Sequence, residues 1–175
     1  MKVLVTYFSQ TGNTEQIARA IYEESVSSSS ADLKKIEEID PSQLDDYGLV
    51  IIGSLCHGGT LAEPVRVLMN LIPERSSFYL AGFVNHASPL YNKSDDENCM
   101  IYLSSLCRKK GIAYLGCFEC QGRLAPKLYN FIKHFKHIPE DEWAPMAARM
   151  ERHPDSEDIE NARVFARAIL NKIST

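Results

Sequence analysis

Residues 2–18 read KVLVTYFSQTGNTEQIA, and this stretch decides the fold. Its first part, 2–8, is apolar and rich in β-branched residues, which predicts a buried β-strand. Residues 14–26 carry apolar side chains at helical spacing, which predicts an amphipathic helix. The polar turn Ser9-Gln10-Thr11-Gly12-Asn13-Thr14 joins the two. A strand that is followed by a polar turn and a helix is the unit that α/β folds repeat.

The rest of the chain repeats this alternation. Pro64 would fall in the first turn of one helix, where proline is tolerated, and Gly111 would end another. Strands that alternate with helices predict an α/β fold, with a doubly wound parallel sheet and helices on both faces. The periodicity predicts further strands at 32–39, 48–55, 78–86 and 112–119, and further helices at 62–72 and 98–109.

The composition excludes several classes of protein. Of 175 residues, 45% are apolar and 24% charged, so we expect one globular domain over 1–175. The net charge of −4 argues against a surface dedicated to nucleic acid. No apolar run approaches the ~20 residues of a membrane span, and the N-terminus is interpreted as a strand and not a secretory signal. The odd number of cysteines, five, in a chain that needs no disulfides favours the cytoplasm.

The turn at 9–14 is suited to bind a phosphate. It lies where a strand ends and a helix begins, and it offers hydroxyl, amide and backbone N–H donors. Gly12 allows close backbone approach or a positive φ. The turn has no Lys or Arg, and neither the Walker motif nor G-x-G-x-x-G occurs, so a single phosphate monoester is favoured over a nucleoside triphosphate or a dinucleotide. The alternative is that these side chains only cap the helix.

The stretch YFSQTGNTEQIA resembles the phosphate loop of the flavodoxin family, which holds the terminal phosphate of flavin mononucleotide (FMN). The resemblance continues in order through YGLVIIGSLCHGGTLAEPV, FVNHASPLY, FECQG and HPDSEDIENARVFARAIL. It implies a five-stranded sheet of order 2-1-3-4-5, with FMN at the carboxyl ends of the strands. The residues it implies for the cofactor are Ser9, Gln10, Thr11, Gly12, Asn13, Thr14, Ser54, Leu55, Cys56, His57, Gly58, Gly59, Asn85, His86, Ala87, Ser88, Tyr91, Cys120, Gln121 and Gly122.

Two loops would contact the flavin ring. In flavodoxins, a peptide in the loop after strand three reorients on reduction, so that a carbonyl accepts a hydrogen bond from the protonated ring nitrogen. The adjacent Gly58 and Gly59 would make this reorientation cost little, and Gly58 is expected to supply that carbonyl. An ordinary glycine turn is the alternative. His57 either packs on the flavin or carries a proton, or it is simply solvated. Tyr91 is expected to stack on the outer face of the ring, or to anchor a surface loop. The single tryptophan, Trp143, lies outside both loops, so the inner face has no assigned partner.

The cysteines give a weaker signal. Cys117 and Cys120 lie three apart on a predicted strand and would therefore face opposite ways, which disfavours a redox dithiol. We expect Cys117 in the core and Cys120 beside Gln121 and Gly122 in the site. No second cysteine or histidine pair stands at ligand spacing for zinc, so no metal site is predicted. Cys56 is interpreted as a loop thiol, and Cys99 and Cys107 as helix packing.

An addition at about 123–153 follows the fifth strand and has no counterpart in a minimal flavodoxin. Helices are predicted at 125–137 and 140–150, and a final helix runs to Lys172 after Asp155 and Asp158 in cap and first-turn positions. The addition could cover the flavin, bind a partner or pad the sheet. Its basic stretch at 127–137, followed by acidic residues at 140–142, favours a solvated helix face over a docking patch.

The resemblance implies an FMN-binding redox protein that transfers electrons between partner proteins. The alternative is an FMN-dependent NAD(P)H reductase of quinones or other small acceptors, since flavodoxin carriers tend to be more acidic than this chain. A third possibility is a binding or regulatory module without redox chemistry. The sequence leaves open whether the protein is a monomer or a homo-oligomer.

Overall fold

The computed structural model describes residues 1–56, 59–87 and 93–174, with the backbone alone for 93–97. The predicted alternation of strands and helices is confirmed within these residues. Two short 3-10 turns, Ile36–Glu38 and Pro41–Asp46, lie between the second and third strands. The elements in chain order are β1 Lys2–Tyr7, α1 Asn13–Val26, β2 Ser30–Lys35, β3 Leu49–Leu55, α2 Glu63–Leu71, β4 Tyr79–His86, α3 Lys93–Lys110, β5 Ala113–Gln121, α4 Pro126–Phe135, α5 Glu140–Met150 and α6 Ser156–Ser174.

The strands of the described residues form one parallel five-stranded sheet in the order β2-β1-β3-β4-β5, as predicted. In β1, Val5 pairs with Leu33 on one side and with Ile51 on the other. The central strand β3 is buried along nearly its whole length, which explains its continuous apolar sequence. Because all strands run the same way, their carboxyl ends meet at one edge of the sheet.

Helices cover both faces of the sheet. On one face, α2 and α3 pack on alternate strand residues such as Val50 and Leu80. On the other face, α1 and α6 pack on residues such as Val5 and Ile51. No helix in the described part of the chain is both long and apolar enough to cross a membrane.

Three predicted boundaries were wrong. The strand predicted at 32–39 is Ser30–Lys35, because its only neighbour, β1, ends at Tyr7 opposite Lys35. The fifth strand continues past residue 119 to Gln121, since β4 offers partners as far as His86. The helix predicted at 98–109 begins earlier, at Lys93. The apolar pattern missed this start because residues 93–97 are polar or charged. Acidic residues are favourable in a first helical turn, but they give no apolar periodicity.

The addition at 123–153 folds as the predicted helices, α4 and α5. Their inner faces form a separate hydrophobic cluster, here called the tail cluster, of Ala87, Leu124, Trp143 and Met150. The ring of Tyr129 on α4 meets that of Trp143 on α5 edge to face, with centroids 5.8 Å apart. The tail cluster therefore joins α4 and α5 to the ends of β4 and β5.

The final helix begins with the predicted cap. The Asp155 carboxylate accepts the backbone N–H groups of Glu157 and Asp158, at 2.9 and 3.1 Å. The Asp158 carboxylate in turn accepts the N–H of Asp155 at 2.9 Å and lies 2.6 Å from Nδ1 of His153. This reciprocal pattern is a capping box, which satisfies donors that the first turn of a helix leaves free.

Candidate functional site

A cleft opens at the carboxyl edge of the sheet, beside the ends of β1, β3, β4 and β5. It holds about 580 Å³ of empty space, part of it open to solvent. The described residues that line it are Gln10, Thr11, Asn13, Thr14, Leu55, Cys56, Asn85, His86, Ala87, Gly122, Arg123, Leu124, Ala125 and Leu128.

The polar turn after β1 does not cap α1. Gly12 is the N-cap residue, with a left-handed backbone at φ 85°, and no side chain among the described residues bonds to the first turn as a cap. The Ser9 hydroxyl instead accepts the N–H of Gly12 at 3.1 Å. The N–H groups of the first turn of a helix lack intrahelical partners, and the helix dipole makes this end positive. The helix-cap alternative for this turn is thus not what the structure contains.

Asn13 connects this turn to the end of β5. Its side chain is 5% exposed, and Nδ2 donates to the carbonyl of Arg123 at 2.8 Å. Its Oδ1 has no hydrogen-bond partner among the described residues. Gly122 lies close beside it, since a Cβ there would lie 3.1 Å from Nδ2 of Asn13. A buried amide oxygen without a partner is costly, which marks a position where a ligand donor fits.

A second buried amide lies across the cleft, on β4. Asn85 is 5% exposed, and its Nδ2 donates to Sγ of Cys120 at 2.8 Å. Its Oδ1 also lacks a hydrogen-bond partner among the described residues. The backbone carbonyl of Asn85 accepts the N–H of Cys56 at 2.7 Å, which holds the loop after β3 against β4. The cleft thus contains two asparagines with unpartnered buried oxygens.

The hydroxyl of Ser54, near the end of β3, holds the loop that follows this strand. Ser54 Oγ accepts the N–H of Ala62 at 3.0 Å and donates to the carbonyl of Leu55 at 2.9 Å. Ser54 therefore shapes the loop from behind, while Leu55 and Cys56 line the cleft. Gly59 has a φ of 77°, so a glycine is favoured there.

Four of the predicted site residues, His57, Gly58, Ser88 and Tyr91, lie outside the described residues. Their predicted roles at the flavin ring stay predictions. At the end of β4 and just after it, His86 and Ala87 line the cleft. The carbonyl of His86 accepts the N–H of Gly122 at 2.9 Å, so the ends of β4 and β5 form one wall.

Cys117 and Cys120 face opposite sides of the sheet, as predicted. Cys117 packs against the core under α2 and α3, and Cys120 belongs to the core under α1 and α6. Burial raises the pKa of Cys117 to about 12 and raises the pKa of Cys120 further, so neither thiol ionises readily. Cys120 and its neighbour Gln121 lie on β5 and do not line the cleft. Cys120 supports Asn85 from behind.

Sequence reasoning missed the wall that follows β5. Arg123, Leu124, Ala125 and Leu128 all line the cleft, and none was predicted as a site residue. Arg123 lies beside the first turn of α1, where its backbone carbonyl accepts the hydrogen bond from Nδ2 of Asn13. The available signal was position, since residue 123 directly follows the FECQG motif at the end of a strand.

Trp143 contributes to the cleft indirectly. It is 6% exposed and packs with Ala87 and Leu124 in the tail cluster. Both of these residues also line the cleft. The tryptophan therefore holds the cleft wall from behind, and the helical addition covers one side of the site.

Comparison with known proteins agrees with this geometry. The family model described as Flavodoxin domain matches residues 4–167. The flavodoxin-like domain-containing protein BilS of Clostridioides difficile is 28% identical to the chain, with 99% of each covered. An uncharacterized protein of Methanocaldococcus jannaschii, MJ0298, is 27% identical, with 97% of this chain and 99% of that protein covered.

The solved structures agree in fold. Oxidised Flavodoxin 2 from Bacillus cereus superposes with a TM-score of 0.70 at 21% identity, covering 98% of this chain and 99% of that one. The sheet order, the position of the cleft and the family match over most of the sequence lead to one assignment: the chain belongs to the flavodoxin domain family.

Proposed function

We propose that the protein is a single-domain FMN-binding redox protein of the cytoplasm that carries electrons between partner proteins. The observation that carries the proposal is the cleft itself. It combines an uncapped helix terminus with two buried amide oxygens that lack partners. FMN offers a complementary set, with a phosphate at one end and hydroxyl and ring N–H donors along its length. The residues present therefore fit the group.

The terminal phosphate would lie at the start of α1. Thr11 and Thr14 line the cleft and supply hydroxyl donors, and the first-turn N–H groups and the helix dipole favour an anion there. Neutral donors and a helix terminus suit a phosphate monoester better than the larger charge of a triphosphate.

The rest of the cofactor would lie between polar and apolar walls. Asn13 and Asn85 would accept hydrogen bonds from its hydroxyl or N–H groups and so remove the cost of two unpartnered oxygens. Leu55, Ala87 and Leu124 provide apolar surface that excludes water from one side. Bound FMN supplies electron transfer in one-electron and two-electron steps, and the protein sets its orientation and surroundings.

An exposed aromatic pair on α4 favours a carrier over a reductase. Phe131 and Phe135 are 63% and 68% exposed, and their rings stack with centroids 5.8 Å apart. Large exposed aromatic side chains are unusual on a solvated face and are enriched at protein interfaces. Leu128, less than one turn before Phe131, lines the cleft, so a protein docked on this pair would lie close to the cofactor. The charge pattern alone had favoured a solvated face.

The partner at this face would be acidic. Residues 126–138, PKLYNFIKHFKHI, contain three lysines and two histidines and no carboxylate. Of these lysines, Lys133 pairs with Glu140 on α5, while Lys127 and Lys136 are exposed. A partner with an apolar centre and an acidic rim would complement this surface, and charge complementarity speeds association.

The reductase remains the second candidate, because α4 and the tail cluster could enclose a small acceptor. One steady-state assay separates the two functions. FMN-loaded protein is mixed with NAD(P)H and a quinone, and nucleotide oxidation is followed. A carrier shows no turnover beyond that of free FMN, whereas sustained turnover would replace the carrier by the reductase.

FMN binding is tested by titrating FMN into flavin-free protein and following the quenching of flavin fluorescence. We expect saturable binding with one FMN per chain. Thr14→Val and Thr11→Val should each weaken it roughly 10-fold, the effect of about 1.4 kcal/mol lost with one donor to a charged group. The matched control is Thr6→Val, which removes a buried hydroxyl from β1 outside the cleft and should leave FMN affinity unchanged. No binding to the unmodified protein would refute the proposal.

A further inference from the structure

Two cysteines meet at the side of the cleft. Sγ of Cys99, on α3, lies 3.4 Å from Sγ of Cys56, in the loop after β3. They are 43 residues apart in the chain, so the contact is made by the fold. The sequence alone predicts a loop thiol for Cys56 and helix packing for Cys99, and gives no sign of their contact. We infer that Cys56 and Cys99 are a reversible dithiol–disulfide centre in the wall of the cleft.

The backbone holds Cys56 in place from two sides. Its N–H donates to the carbonyl of Asn85 at 2.7 Å, and it forms an isolated antiparallel bridge with Leu61. Cys99 is fully buried where α3 packs against the sheet. A disulfide has an S–S length of about 2 Å, so the sulfurs must approach by about 1.4 Å. Rotation about a Cα–Cβ bond can move a sulfur by this much.

The cleft gives an oxidant a route to the pair. Cys56 is 8% exposed and lines the cleft, whereas Cys99 is 0% exposed behind it. The accessible sulfur would react first, and the buried sulfur would then resolve the product. This division of roles is typical of a two-cysteine centre, in which a reactive thiol stands next to a resolving thiol.

The reaction balances with a two-electron thiol oxidant. With a diazene such as diamide, the Cys56 thiolate adds to one nitrogen of the N=N bond. The Cys99 thiolate then attacks Sγ of Cys56, the S–S bond forms, and the S–N bond breaks. Two electrons and two protons pass from the thiols to the diazene, which leaves as a hydrazine. A peroxide does the same through a sulfenic acid and leaves as two waters. A dithiol reductant reverses the change.

The remaining cysteines do not offer the same geometry. Cys117 and Cys120 face opposite sides of the sheet. Cys107 lies on α3 as Cys99 does and is 1% exposed, and burial raises its pKa to about 11. It is the matched control, because it shares the helix and the burial of Cys99 but does not line the cleft.

The test uses flavin-free, full-length protein, so its result is independent of FMN binding. Protein is treated with diamide, quenched in acid, denatured and alkylated. We expect the titratable thiols to fall from five to three, with a loss of two hydrogen atoms in mass and a Cys56–Cys99 linkage in the peptide map. Dithiothreitol should restore all five. The oxidised form should also melt at a higher temperature, because a crosslink over this span restricts the unfolded chain.

Variants separate the pair from general thiol oxidation. Cys107→Ala should still lose two thiols and form the same linkage, whereas Cys99→Ala should form no intramolecular bond. Retention of five thiols in the unmodified protein would overturn the inference. A linkage mapped to another pair, or between two chains, would overturn it equally. The measurement on unmodified protein decides the matter even if a variant fails to fold.

Discussion

Gly122→Ala tests whether the contact between Asn13 and the end of β5 builds the cleft. A Cβ at residue 122 would lie 3.1 Å from Nδ2, 3.4 Å from Cβ and 3.5 Å from Cγ of Asn13. The first distance is too short for a relaxed contact, so the amide must move by a few tenths of an ångström. This displacement stretches the 2.8 Å hydrogen bond to the Arg123 carbonyl. The backbone of residue 122 is outside the left-handed region, so alanine adds no backbone strain.

The size of the effect follows from the hydrogen bond. Leaving a buried donor or acceptor unsatisfied costs about 1–3 kcal/mol. We therefore expect Gly122→Ala to lower the free energy of unfolding by about 1–2 kcal/mol in urea. FMN affinity should fall roughly 5- to 30-fold, because Asn13 is part of the proposed site.

A double-mutant cycle isolates the contact. In an Asn13→Ala background there is no amide for the new methyl to displace, so Gly122→Ala should have little further effect on stability. If Gly122→Ala costs the same in both backgrounds, the contact with Asn13 is not the cause. If it costs nothing in the unmodified protein, the close approach of Gly122 to Asn13 has no structural role.

Three further predictions concern the turn, the edge strand and the aromatic pair. Gly12→Ala should cost about 1–2 kcal/mol in urea unfolding, because φ is 85° while no atom lies within 4 Å of the new Cβ; Gly12→Asn should cost less. Tyr47→Phe removes the hydroxyl that donates to Asp32 at 2.7 Å and, with Lys2, lowers the pKa of that carboxyl. The substitution should lower the free energy of unfolding by about 1 kcal/mol at pH 7, and this difference should vanish in urea titrations as pH falls through the lowered pKa of Asp32. A difference that stays constant with pH would contradict this role of the hydroxyl. Phe131→Ala with Phe135→Ala should leave FMN affinity and stability unchanged but slow reduction of acidic cytochrome b5 in stopped flow, with reduction of the small acceptor ferricyanide as the control.

The sheet and the position of the site could be predicted because each rests on a local pattern. Apolar strands and amphipathic helices alternate along the chain, and strands of one direction bring their ends to one edge. The polar turn at 9–14 then falls at this edge, where the sequence predicts a phosphate site. Half of the predicted site residues, including Thr11, Asn85 and Gly122, do line the cleft.

What could not be predicted depends on partners that are distant in sequence. The end of β2 is set by the length of β1, and Cys120 falls behind the cleft because β5 continues as far as β4 allows. The contact of Cys56 with Cys99 has no local signature at all. Arg123 and Leu128 were missed because the residues that carry the family resemblance stop at Gly122 and resume at His153, so nothing indicated that the segment between them returns to the site.

The tail cluster has a consequence for how the protein folds. Ala87 and Leu124 belong to this cluster and to the cleft at the same time. A ligand that packs against them stabilises α4 and α5 as well as its own binding surface. At 100 times its dissociation constant, a ligand that binds only the folded state adds about 2.7 kcal/mol to stability. Part of this would fall on the helical addition, which has a small core of its own and so belongs to the weaker end of the folding units. Bound cofactor would then stabilise α4 and α5 against local unfolding. When the cofactor is removed, residues 123–153 should become sensitive to protease under conditions in which the sheet stays folded.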